Sequence, residues 1–76
     1  MQKYYWIMDC RDGDLFDRKL PEGTTRKEAI VTAACEWDRL TAHDKRHRDY
    51  FELVYAPEDD YGCCDLDKSE AVTTFC

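Results

Sequence analysis

The chain predicts an α+β fold: an antiparallel sheet of three or four strands, with one long helix (about 25–40) packed on one face and a short second helix (about 42–48), in the order ββααβ(β). Three observations predict it. An aromatic run, "KYYWIMD", is followed at once by an Asp-Gly pair. Thr25 with Glu28 and Thr41 with Asp44 each place a hydroxyl three residues before a carboxylate, the signature of a helix start. A second aromatic run, "YFELVYA", alternates as a strand does.

The elements follow in order. Asp12-Gly13 suits a tight two-residue hairpin, so strands near 3–10 and 14–18 are expected to pair antiparallel. Tyr4, Trp6 and Met8 would share one face of the first strand, and Tyr5 and Ile7 the other. A strand apolar on both sides belongs in the middle of a sheet, or beneath a segment that covers it. In the long helix, Ile30, Ala33, Ala34, Trp37 and Leu40 recur at helical spacing and form one apolar stripe, which would cover a sheet face. Pro57 ends the "YFELVYA" strand and "PEDDYG" reads as a turn. "CCDLD" and "AVTTF" would supply one or two further short strands.

All 76 residues are expected to form one domain, and a chain this short buries only about 60% of the surface its unfolded form exposes. The composition is that of a folded protein, 43% hydrophobic with only three glycines and two prolines, which argues against disorder. Seventeen acidic residues against eleven Lys and Arg give a net charge of −6, which argues against general nucleic-acid binding. The charge is uneven. Residues 26–48 carry six bases and four acids, whereas residues 49–76 carry one base and eight acids.

Five cysteines is an odd number, and "MQKYYWIMDC" lacks the basic and long apolar regions of a signal peptide, so reduced thiols in a cytoplasmic protein are expected. No apolar run approaches the length of a membrane span.

His43 and His47 lie at i and i+4, a spacing at which helical histidines can ligate zinc, with Cys10, Cys63, Cys64 and Cys76 as further donors. No Cys-x-x-Cys spacing accompanies them, so no metal and no cofactor are expected, and the two histidines should face water alone. The cations Arg39, Lys45, Arg46 and Arg48 sit where a helix end favours positive charge, so they need no phosphate to explain them. Isolated glycines and a single serine outside any nucleophile motif argue against an enzyme, and Cys35 lies off the apolar stripe as an edge residue.

The features that point to a function are surfaces. Glu58, Asp59, Asp60, Asp65 and Asp67 make the C-terminal third acidic; on a "CCDLD" strand, Asp65 and Asp67 would project about 6.6 Å apart, able to imitate successive phosphates. The aromatics exceed what a small one-sided core hides, which nominates Tyr5 and Tyr50 as part of an exposed contact face for a protein partner or a second copy of the chain.

The ββα opening, with "LPEGTTRKEA" leading into the helix, resembles in outline the N-terminal half of HicB-type antitoxins, over roughly the first 40 residues. The family's Gly-Cys turn has no counterpart here. The "EWDRLTAHDK" segment, with the aromatic strand and acidic turn after it, is similar to small open reading frames of Firmicutes and their mobile elements. The expectation is a small bacterial, non-catalytic interaction module, with an antitoxin-like or nucleic-acid-mimicking inhibitor as the alternative.

Overall fold

A computed structural model describes residues 2–75. Four strands form one antiparallel sheet in the order β2-β1-β3-β4: β1 (Lys3–Arg11), β2 (Asp14–Lys19), β3 (Arg48–Pro57) and β4 (Glu70–Phe75). Between β2 and β3 run the helices α1 (Arg26–Arg39) and α2 (Ala42–Arg46). The α+β fold, the long helix and the ββααβ(β) order are those expected from the sequence.

The hairpin forms for the reason its sequence suggests. Asp12 (φ 50°) and Gly13 (φ 86°) both take the left-handed conformation that a two-residue turn between twisted strands requires. The β1–β3 register skips Asp49, which lies between the pairs Cys10↔Tyr50 and Arg11↔Arg48. Asp49 turns its carboxylate onto the hairpin, where Oδ2 accepts from Gly13 N (2.9 Å) and from Cys10 Sγ (3.5 Å).

Both helix starts are reciprocal capping boxes. Thr25 Oγ1 accepts from Glu28 N at 3.2 Å while Glu28 Oε1 accepts from Thr25 N at 3.0 Å; Thr41 and Asp44 repeat the pattern. These hydrogen bonds favour the ionised carboxylates and hold Glu28 and Asp44 below the usual acidic range. The second helix is shorter than expected. His47 is its C-cap and Arg48 already belongs to β3, with its Nη1 donating back to Asp44 O at 3.1 Å.

β1 is central and buries both faces. On the helix side Ile7, Phe51 and Leu53 pack with Leu20 and with Ala29 and Ala33 of α1. The two alanines are fully buried, and their small size lets the helix lie close to the sheet. The inward stripe is therefore Ala29, Ile30, Ala33 and Trp37. Leu40 leaves it because it is the C-cap, with extended backbone (ψ 140°). Trp37, Phe51 and Phe75 close one end of this layer, with ring centroids 5.4 to 6.2 Å apart. Nearby, Arg48 Nε lies 2.7 Å from Asp9 Oδ1 in a largely enclosed ion pair, although its N–H does not point squarely at that oxygen.

On the other side Trp6, Met8, Val54 and Ala56 pack with Cys64, which belongs to the segment between β3 and β4. Trp6 Nε1 donates to Ala56 O at 2.9 Å, so the indole is buried without an orphaned donor. The expected "CCDLD" strand does not form. Cys64 makes one isolated bridge with Glu58, and Leu66–Lys68 is a single 3-10 turn. Asp65 accepts from Asp67 N at 3.2 Å, which bends the chain instead of extending it. The strand geometry that would give Asp65 and Asp67 a phosphate-like spacing is accordingly not present. "AVTTF" does pair with β3, as β4. Cys76 lies outside the described residues.

Leu53 is fully enclosed on the helix side, whereas Val31 points outward from α1. Urea unfolding should show Leu53→Ala losing about 2 to 5 kcal/mol and Val31→Ala changing stability by less than about 0.5 kcal/mol. Equal effects would place the core elsewhere.

Candidate interaction site

Residues 58–69 cross the loop side of the sheet at the end where β1 begins and β3 finishes, since Lys3 stands opposite Pro57. This segment holds all five acidic residues singled out in the sequence. Its order comes from side-chain acceptors that replace a strand ladder. Asp59 Oδ1 accepts from Tyr61 N (2.8 Å) and Cys63 N (2.9 Å), Asp59 N donates to Cys63 O at 2.7 Å, and Gly62 N donates to Asp59 O at 3.2 Å. Gly62 supplies the positive φ (79°) that closes the turn.

Three contacts fasten the segment to the sheet. Cys64 N donates to Asp17 Oδ2 on β2 at 2.8 Å, and Lys19, also on β2, pairs with Glu58. That contact with the Glu58 carboxylate raises the Lys19 ammonium above its ordinary range, because it favours the charged form. Asp65 N donates to Pro57 O at 3.0 Å.

The acidic residues thus divide by task. Glu58, Asp59 and Asp65 are half-buried and engaged within the loop or with Lys19. Asp60 and Asp67 are exposed, and neither forms an ion pair among the described residues. Beside them stand two residues that the sequence reading passed over. Tyr61 is 91% exposed and Leu66 54% exposed. Tyr61 had a legible signal: an aspartate two residues before it, followed by a glycine, is an Asx-turn that lifts the intervening side chain into solvent.

Tyr5 and Tyr50 do not join this group as one surface. Tyr5 stacks on Tyr55 (centroids 4.6 Å apart) on the helix side, half-buried against the core. Tyr50 stands opposite Cys10 on the loop side, near the hairpin. Burial, with the nearby Cys10, Glu52 and Asp49 acting in the same direction, raises its phenol above the ordinary range.

The histidines are placed differently from expectation. His43 and His47 do lie together, with ring centroids 4.4 Å apart, but His47 Nδ1 is also 3.7 Å from Asp12 Oδ1 on the hairpin turn. They face more than water. Among the described residues no group of three His, Cys, Asp or Glu side chains is arranged to hold a metal ion.

The thiols are electrostatically quiet. Burial pushes Cys64 up to about 11, helped by the Asp17 and Asp65 carboxylates, and burial likewise raises Cys10 and Cys63. Thiolate is the reactive form, so these positions are disfavoured as nucleophiles at neutral pH. Cys35 is exposed on α1.

Among the described residues no helix is long and apolar enough to cross a membrane. No family model matches the chain, and neither the curated proteins nor the solved structures contain a match to it.

The loop geometry and the Cys64 environment generate two expectations. Alkylation at pH 8 followed by mass spectrometry should modify Cys35 and Cys63 in the folded protein and reach Cys64 only after denaturation; early labelling of Cys64 would show that the loop does not cover the sheet. Because the folded state holds the Cys64 proton up to about 11 against an ordinary 9.0, the unfolded chain releases it first. Stability should be unaffected by this group below pH 9 and should fall as pH rises from 9 towards 11, and Cys64→Ala should flatten that part of the curve.

Proposed function

We propose that the protein is a non-catalytic protein–protein interaction module of the cytoplasm that docks a basic partner surface through residues 58–69. The observation that carries this reading is Tyr61: its side chain is 91% exposed while its peptide is fixed by the Asp59 carboxylate. An aromatic side chain held out in water by an ordered backbone loses little conformational freedom on binding and buries a large area, the properties of an interface anchor. Leu66 extends the apolar contact, and Asp60 and Asp67 flank it with uncompensated negative charge that would steer a basic partner.

A second reading draws on Asp60 and Asp67: an antitoxin-like or nucleic-acid-mimicking inhibitor would place them in the basic site of a toxin or nuclease. Among the described residues, only Asp60 and Asp67 of the five acids have no side-chain hydrogen bond or ion pair, which favours the aromatic-anchored reading over one driven by charge alone.

Capture from the host extract on immobilised protein should retain a partner that Tyr61→Ala loses, with affinity falling by about 2 kcal/mol, or roughly 30-fold. The Asp60→Asn/Asp67→Asn pair should chiefly slow association and weaken its salt dependence. If Tyr61→Ala retains the same proteins at the same strength while Asp60→Asn/Asp67→Asn abolishes capture, the inhibitor reading replaces the first. If neither change has an effect, residues 58–69 are not the docking surface.

A further inference from the structure

A second feature lies at the same end of the sheet, on the opposite side. Between the Pro21–Thr25 turn and the start of β1 is a half-enclosed cleft of about 230 Å³. That is below the roughly 300 to 1,000 Å³ of small-molecule pockets and is the scale of one long side chain. Tyr5 and Tyr55, stacked 4.6 Å apart, line it together with Lys3, Glu22, Gly23 and Thr24.

We propose that this cleft receives an arginine side chain of the protein partner. Its chemistry selects a flat cation. The two tyrosine rings attract positive charge, and a cation already approaches them: Lys3 Nζ is 5.8 Å from the Tyr55 centroid. Lys3 does not make the cleft an anion site, because Glu70 lies 3.6 Å from its ammonium. At the rim, Glu22 supplies a carboxylate that lines the cleft, and its Oε1 accepts from Gln2 Nε2 at 2.6 Å. A guanidinium can lie flat on a ring while donating two parallel hydrogen bonds to a carboxylate at its edge, whereas an ammonium meets both only as a point charge and an apolar side chain meets neither. The start of α1 offers no competing anion site, since Glu28 already caps it. The net charge of −6 further favours a cation over an anion.

The source of the guest rests on the interaction-module reading, but the cleft's selectivity is tested without any partner. In an amide-resolved NMR titration of the whole protein, Nα-acetylarginine methylamide should give saturable shifts at Gly23, Thr24 and Tyr55, with a dissociation constant on the order of 10 mM. Nα-acetylleucine methylamide should not. Glu22→Gln should weaken arginine binding roughly two- to fivefold, and Lys3→Gln, which removes a competing cation, should strengthen it by about as much. Both side chains lie at the surface, so the fold should survive, as matching far-ultraviolet circular dichroism would show. Absent or unsaturable shifts, equal shifts with the leucine compound, or a Glu22→Gln protein that binds as well as the original would each overturn the proposal. Such a failure would leave Tyr61-dependent capture untouched, and loss of that capture would leave the arginine titration untouched.

Discussion

The structure depends on one constraint: β1 is apolar on both faces and must be covered twice in a chain of 76 residues. One cover is cheap in design terms, because α1 satisfies its own backbone and needs only a stripe of small and apolar side chains to lie on the sheet. The other cover is a loop, and a loop brings unpaired N–H groups with it. Here carboxylates meet that need. Asp59 and Asp65 accept from amides within the loop, and Asp17 reaches over from β2 to accept from Cys64 N. Much of the acidity of the C-terminal third is therefore structural, serving where a ladder of carbonyls would otherwise stand.

What was legible in the sequence was what is decided locally. The Asp12-Gly13 hairpin and both capping boxes depend on residues within a few positions of each other, and each formed as its motif implies. The placement of β1 in the middle of the sheet was legible too, since two apolar faces admit little else. The failures have a common origin in distant contacts. "CCDLD" has the residues of a weak strand, but its conformation is set by Asp17, forty-seven residues before Cys64, and by the Asp65 side chain competing with extended pairing. Ala29 gives too faint a hydrophobic signal to be recognised as a fully buried contact, although its smallness is what the helix packing uses. His47 gained a neighbour because the hairpin turn folds up against the end of α2.

The candidate site was half legible for the same reason. The acidic residues were visible as composition, but which of them are engaged and which are free depends on the loop's hydrogen bonds. Tyr5 was nominated for an exposed sheet face and instead lines a cleft with Tyr55, a pairing made only when β1 and β3 meet. Tyr61 and the Tyr5 cleft then fall at one end of the sheet although they sit on opposite sides of it, so a partner wrapping that end could engage both.

The irregularity in β4 bears on how such a partner can bind. The β3–β4 register skips Val72, which packs towards the helix side, so the outer rim of the sheet on that flank is kinked and lacks an even row of donors and acceptors. The opposite rim, β2, carries Asp14, Asp17, Arg18 and Lys19 among its six residues. Neither border is a good template for an incoming strand. Backbone pairing is therefore discouraged at both borders of the sheet, which disfavours fibrous self-association of a small protein.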